Sequence, residues 1–276
     1  MIVFYCNKKI RTMFHNREQK VMSIMHDNVE VKIKSLQKAI NVLNCFVKKP
    51  MLGVSEISET LGLYKSNVHN ILETFQQMGY VEQDEETKKY SLGIGIFDLS
   101  RALGNTFIIT KIAQPYMQEI SNITNENVYL AVPHDNQVLY LEATYPAQAT
   151  HLMRSLFGER ANMYCTGIGK AILSNMPEEY ISKYLERDFV RYTEQTIIDK
   201  DRLREELRTT KMRGYAIDNM EHEFGVKCVA LPIFNAQHKV VAAMSVSGAS
   251  IKFTESFIAE VAEIEKRYIK MIERRI

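Results

Sequence analysis

The chain has no long apolar run, and no stretch approaches the roughly 18 consecutive apolar residues that a membrane-spanning helix needs. Its opening segment, Met1 to Cys6, is too short and too poorly flanked for a signal peptide. The 4 cysteines, Cys6, Cys45, Cys165 and Cys228, include no CxxC pair, which argues against a zinc ribbon and a disulfide framework. We therefore expect a cytoplasmic protein with reduced thiols and no membrane association.

The composition is that of an ordinary globular protein, with 46% hydrophobic and 25% charged residues. A length of 276 residues is long for one domain and suits two. Residues 1–30 show no helical or strand period. Either translation begins later, at Met13, Met22 or Met25, or this extension is a flexible basic arm that touches phosphates.

A helix-turn-helix followed by a hairpin is predicted from Gly53 to Ser91. Ser55 is the expected N-cap of a helix that ends at Leu61, and Gly62 supplies the turn. Ser66 is the expected cap of the next helix. The apolar face of that second helix would hold Val68, Ile71, Leu72, Phe75 and Met78. Residues 80–83 and 89–92 flank a charged turn and favour a hairpin, which would make the module a winged helix.

The polar face of the second helix is the expected DNA-reading surface. Phosphate and base contacts would come from this face and from the wing, through Lys65, Ser66, Asn67, His69, Asn70, Lys88 and Lys89. Residues 51–91 carry 3 Lys/Arg against 7 Asp/Glu, whereas residues 1–50 carry 10 against 3, so the reading module itself is acidic. Two packed helices joined at a glycine give a similar pattern, and that structural alternative stays open.

Two further helices flank this module. From Ser35 to Val47, one face is expected to carry the core residues Leu36, Ile40, Leu43, Phe46 and Val47. Residues 93–107 are expected to form a linker helix with an apolar stripe at Leu92, Ile96, Leu99 and Leu103. Such a stripe either pairs with a second copy of the chain or packs on its own domain.

The remainder predicts an α+β domain, with helices flanking a predominantly antiparallel sheet. A helix over 108–123, strands over 127–132 and 138–143, and an edge strand over 151–156 come first. Helices then begin at Thr166, Pro177 and Asp199 or Asp201, the last of these ending at Gly214. Strands at 228–234 and 240–246 and a final helix from Thr254 to Ile269 complete the pattern.

Several residues of this domain could carry chemistry. The start of the helix at Gly167 and Gly169 could bind an anion with its free amides, or the glycines could serve close packing. A metal site formed by Cys165, Asp218, His222 and Cys228 is an alternative, although their spacing is not diagnostic. An enzyme with Cys165 or Ser245 as nucleophile and His222 as base is another, but no local motif supports it.

The whole pattern resembles the IclR-type bacterial transcriptional regulators. The segments that carry the resemblance are 36–46, 54–57, 63–69, 78–81 and 90–93, and it continues to the C-terminus. It implies a winged helix-turn-helix domain at 31–92, the linker helix at 93–107 and a GAF-like effector-binding and oligomerisation domain at 108–276. It also implies a homodimer or homotetramer that binds a palindromic operator, more often as a repressor, and that has neither cofactor nor enzymatic activity.

The resemblance further implies where a small organic-acid effector binds. The matching positions are Met153, Gly167, Ile168, Asp218, Val226, Cys228, Ser245 and Ser247, of which Met153 and Val226 would form the apolar wall. Ser245 and Ser247 would face the same side of a strand. This chain departs from the common pattern at Tyr164-Cys165 and at Met220, which leaves the identity of the effector open.

Overall fold

The computed structural model describes residues 31–104, 108–147 and 156–276. The chain divides into two compact units, here called the N-terminal unit, which ends at Leu103, and the C-terminal unit, which begins at Gly104. Across the described ranges, none of the helices combines the length and the apolarity of a membrane span.

The N-terminal unit is a winged helix-turn-helix, as predicted. Its elements are α1 (Lys34–Lys48), α2 (Val54–Leu61), α3 (Lys65–Gln77), β1 (Val81–Gln83), β2 (Tyr90–Leu92) and α4 (Gly95–Gly104). β1 and β2 form an antiparallel pair, the wing. Gly62 ends α2 in the left-handed conformation, with φ of 63°, as its position in the turn required.

Both helix caps predicted in this unit are wrong. The N-cap of α2 is Gly53 rather than Ser55, because the Glu56 carboxylate accepts a hydrogen bond from the Gly53 N–H at 2.8 Å. Helix α3 has Tyr64 as its N-cap and makes no side-chain cap hydrogen bond. Ser66 therefore lies inside the first turn of α3, where it is exposed.

The predicted core face of α1 is only partly correct. Leu36, Ile40 and Val47 are 58%, 47% and 76% exposed, whereas Val42 and Phe46 are buried against α2, α3 and the wing. This helix has apolar residues on two sides, and α2 and α3 cover only one of them. Periodicity alone could not decide which side is covered.

The C-terminal unit contains a six-stranded sheet in the order β5-β4-β3-β8-β7-β6. Its strands are β3 (Asn127–His134), β4 (Gln137–Thr144), β5 (Arg160–Asn162), β6 (Ala216–Asn219), β7 (Val226–Phe234) and β8 (Val240–Ala249). All neighbouring strands are antiparallel. Its helices are α5 (Ile108–Thr124), α6 (Gly167–Leu173), α7 (Glu178–Leu185), α8 (Lys200–Arg213) and α9 (Glu255–Glu273).

Each face of this sheet is covered by a different set of helices. Residues of α6, α7 and α8 pack on one face in a core that includes Ala131, Ala230 and Ala243. Residues of α5 and α9 pack on the other face, against Leu130 and Val229. The domain is therefore α+β with the sheet as its middle layer. We call the side that carries α6 the α6 face.

The helix starts in this unit are confirmed more closely than the strands. Thr166 caps α6 by accepting a hydrogen bond from Gly169 N–H at 3.1 Å, and Asp199 caps α8 in the same way. The short strands β5 and β6 were not predicted, since 3 and 4 residues with polar members give no clear alternation. The edge strand predicted at 151–156 falls mostly outside the described residues.

Candidate functional site

The predicted DNA-reading residues lie together on the surface of the N-terminal unit. Helix α3 buries Val68, Leu72 and Phe75 against α1 and α2. Its exposed side carries Lys65, Ser66, Asn67, His69 and Asn70. Because a helix brings residues three and four apart onto one face, the side chains at its start are presented outward as a group.

The wing is held in shape by its own hydrogen bonds. Asp84 Oδ1 accepts hydrogen bonds from the backbone N–H and the hydroxyl of Thr87, at 2.7 and 2.5 Å, and these bonds lower the pKa of Asp84. Lys88 follows in the left-handed conformation, with φ of 55°. Lys88 is exposed and Lys89 half-buried, which leaves both ammonium groups at the surface of the hairpin.

The second candidate site lies on the α6 face of the C-terminal sheet. Cys228 on β7 is directly opposite Asp218 on β6 and Ser247 on β8. Ser245 pairs with Tyr129 on β3. Because residues directly opposite in neighbouring strands point to the same face, these five side chains share the α6 face.

Three hydroxyl groups on this face lack a hydrogen-bond partner within the described part of the chain. The hydroxyls of Tyr140, Ser245 and Ser247 make no hydrogen bond to any described residue. Tyr140 packs edge-on against Tyr129, with ring centroids 6.0 Å apart. Burial raises the pKa of both phenols, to about 12 for Tyr129, so both are neutral donors at physiological pH.

The glycines at the start of α6 serve close packing. A Cβ on Gly167 would lie 2.9 Å from Cys228 Sγ, and one on Gly169 would lie 2.3 Å from Met163 Cα. Only glycine fits at either position without a shift of its neighbours. These contacts support the close-packing interpretation at both glycines, and the neighbouring Ile168 is almost fully buried.

The thiols of this region are protonated and structural. Burial raises the pKa of Cys165 and of Cys228 well above the ordinary value, which removes the thiolate that a nucleophile requires. His222 is exposed and packs against Tyr192, with ring centroids 5.5 Å apart. In the described part of the chain, no three His, Cys, Asp or Glu side chains are grouped as metal ligands, so the metal alternative gains no support.

A buried ionic cluster lies beside this face. Lys170, which is 1% exposed, places its ammonium 2.5 Å from Glu221 Oε1 and 3.5 Å from Glu206 Oε1. Asp218 Oδ1 accepts a hydrogen bond from Glu221 N–H at 2.7 Å. Burial and the nearby Glu221 charge raise the pKa of Asp218 to about 7, against the opposing effect of Lys170.

Several of these residues were missed from the sequence. Tyr129 and Tyr140 gave no signal beyond strand alternation. Lys170 could have been found, because a lone lysine in an otherwise apolar helix must have a partner when it is buried. Val226 is half-buried, in register with Ala249, and Met153 lies outside the described residues.

Two surface cavities, of about 430 and 320 Å³, open elsewhere in the C-terminal unit.

A winged helix-turn-helix followed by a separate α+β unit is the architecture of a DNA-binding transcriptional regulator. The model of the IclR helix-turn-helix domain matches residues 35–85, and that of the bacterial transcriptional regulator IclR C-terminal domain matches residues 100–273. The chain belongs to the IclR family of transcriptional regulators, a family of proteins that are not enzymes.

Individual relatives agree with this assignment. The HTH-type transcriptional regulator KdgR of Escherichia coli strain K12 is 31% identical over 230 residues, which are 83% of this chain and 87% of KdgR. The crystal structure of the Thermotoga maritima IclR is 31% identical, with a TM-score of 0.72 over 88% of this chain and 98% of that one. An IclR homolog from Microbacterium hydrocarbonoxydans, solved with 4-hydroxybenzoate, shares the fold at 23% identity and a TM-score of 0.77, over 87% and 98% of the two chains.

Proposed function

We propose that the protein is a cytoplasmic repressor whose binding to a palindromic operator is modulated by a small organic acid. The observation that carries the DNA-binding half is the group of exposed polar side chains at the start of α3, beside an ordered wing. In this arrangement α3 enters the major groove and the wing lysines contact phosphates.

The effector half of the proposal is supported by the free hydroxyls on the α6 face. Ser245, Ser247 and Tyr140 are neutral donors beside a buried cluster, and a ligand carboxylate is an acceptor that such donors stabilise. Cys228, Val226 and the start of α6 at Gly167 and Ile168 complete the pocket, with Asp218 next to them. The aromatic acid bound by the Microbacterium homolog is one member of this ligand class.

The proposed assembly is a homodimer or homotetramer. Helix α4 exposes large apolar side chains, with Phe97 72% and Leu99 57% exposed, and an exposed apolar helix face needs a partner. Two reading heads would then bind two half-sites of the operator. The effector changes repression if it binds more tightly to the dimer with one distance between its two DNA-binding domains than to the dimer with another.

The DNA-reading residues are tested by the variant Asn67→Ala. Loss of a hydrogen bond to a base edge should weaken binding to the cognate duplex by about 1–3 kcal/mol and leave binding to random duplex nearly unchanged. Lys88→Ala is the matched control, since loss of a phosphate contact should weaken binding to the cognate and to the random duplex by the same factor. Fluorescence anisotropy on the two duplexes measures the difference. An equal loss for Asn67→Ala on both would show that Asn67 contacts only the backbone.

The effector site is tested by Ser247→Ala. Loss of one donor to a charged acceptor costs about 1.5–3 kcal/mol, so the effector dissociation constant should rise roughly ten-fold or more. Affinity for DNA without effector should stay the same. A thermal-shift screen of 4-hydroxybenzoate and other small aromatic, sugar and aliphatic acids supplies the ligand, and calorimetry measures its affinity.

Ser250→Ala is the control for this experiment, because it removes a hydroxyl just beyond the end of β8. Wild-type effector affinity in Ser247→Ala would place the pocket elsewhere. A drop in the melting temperature of the ligand-free variant would instead assign Ser247 a structural role.

A further inference from the structure

One carboxylate in the N-terminal unit holds two lysines at the base of the wing. Glu56 Oε1 lies 2.5 Å from Lys49 Nζ, and Glu56 Oε2 lies 3.3 Å from Lys89 Nζ. Oε2 also accepts a hydrogen bond from Gly53 N–H at 2.8 Å. The Lys49 hydrogen bond, with those from Gly53 and Lys89, lowers the pKa of Glu56 to about 2, so this carboxylate is charged at neutral pH.

The three side chains come from three different elements. Lys49 is the C-cap of α1, Glu56 lies in the first turn of α2, and Lys89 comes just before β2. The backbones around them are joined by a pair of hydrogen bonds between Leu52 and Tyr90, at 3.0 and 2.9 Å. The two ammonium groups thus lie beside the junction of the wing with the helix-turn-helix.

Glu56 places a negative charge beside a lysine of the proposed DNA-binding surface. Residues 51–91 carry 7 acidic against 3 basic side chains, and one of these acids, Glu56, lies directly beside Lys89. A lysine ammonium has three hydrogens, so a lysine bound to Glu56 can still donate to a phosphate. The same carboxylate repels any phosphate that approaches it out of register.

We propose that Glu56 is a positioning residue that sets the preference of the winged helix for its own site over other DNA. It holds Lys49 and Lys89 as one pre-ordered pair of phosphate contacts. On the cognate duplex, α3 aligns two phosphates with this pair of lysines. Because Glu56 has already ordered both lysine side chains, binding costs less conformational entropy. On other DNA the register is absent and the Glu56 charge weakens binding. This inference rests on the DNA binding proposed above.

The test compares Glu56→Gln with Glu59→Gln, an exposed carboxylate on the same helix for which the structure shows no ion pair among the described residues. The probes are an unselected random duplex pool roughly 30 base pairs long, enough for two half-sites, and the duplex that the wild-type protein enriches from it. Glu56→Gln should bind the pool at least as tightly as wild type and the enriched duplex less tightly, so that their ratio falls about ten-fold. Glu59→Gln should shift both affinities together.

The lysines are tested by salt dependence in the full-length protein. Lys49→Ala and Lys89→Ala should each reduce the slope of log affinity against log salt by about one per subunit on the enriched duplex. Lys211→Ala, on α8 of the C-terminal unit, is the control and should leave the slope unchanged. Unchanged slopes in both variants, or a Glu56→Gln ratio equal to that of Glu59→Gln, would overturn the proposal. Failure of the wild-type protein to bind the pool or to enrich any duplex from it, even at low salt, would instead refute the DNA binding on which it rests.

Discussion

Replacing Lys170 with methionine is expected to destabilise the C-terminal unit by about 3–5 kcal/mol, because it leaves the Glu221 carboxylate buried without its cation. Lys170 and Glu221 are 1% and 3% exposed, and their charged atoms are 2.5 Å apart. Glu221 Oε2 has no hydrogen-bond partner within the described ranges, so the lysine is the main compensation for this charge. Chemical denaturation followed by circular dichroism measures the loss.

Two comparisons make this result specific. Lys183→Met, on the exposed side of α7, should change stability by less than about 0.5 kcal/mol. Adding Glu221→Gln to Lys170→Met should recover part of the loss, because the double variant no longer buries an unpaired charge. A loss from Lys170→Met as small as that from Lys183→Met would mean that water or another group already solvates Glu221.

Replacing Glu265 with glutamine is expected to stabilise the protein by about 1–3 kcal/mol at neutral pH. Glu265 is fully buried in the middle of the apolar stripe of α9, and neither carboxylate oxygen has a hydrogen-bond partner among the described residues. Burial raises the pKa of Glu265 well above its ordinary value, so the folded protein keeps this carboxyl protonated while the unfolded chain ionises it. Glutamine keeps the shape and removes the ionisation.

The pH dependence gives this prediction its sign. An acid whose folded pKa is raised contributes its stability fully below the unfolded pKa, and the contribution is lost as pH rises toward the folded pKa. Wild-type stability should therefore fall from about pH 4.5 upward relative to Glu265→Gln. The pKa of Asp218 is also raised, to about 7, so its ionisation lowers the stability of the wild-type protein and of Glu265→Gln by the same amount as pH rises. Glu260→Gln, on the exposed side of α9, is the control, and a Glu265→Gln difference that does not vary with pH would contradict the assignment.

The candidate sites were predictable to different degrees. The reading surface of α3 followed from a polar face opposite Val68, Leu72 and Phe75, which is a pattern local to one helix. The placement of Ser245 and Ser247 on one face followed from strand alternation. The partners of those serines did not, because register with Cys228 and Tyr129 depends on strands that are distant in the sequence.

The sequence by itself determined the local elements of this protein. Gly62 ends α2, Thr166 starts α6, and apolar runs mark β7 and β8, because each of these signals acts within a few residues. The structure decides between the two predicted caps of α8 in favour of Asp199. Only the tertiary structure decided which side of α1 faces the core and that Lys170 pairs with Glu221, 51 residues away. The physical reason is that burial and ion pairing depend on which surfaces meet after the chain has folded, and that information is not local.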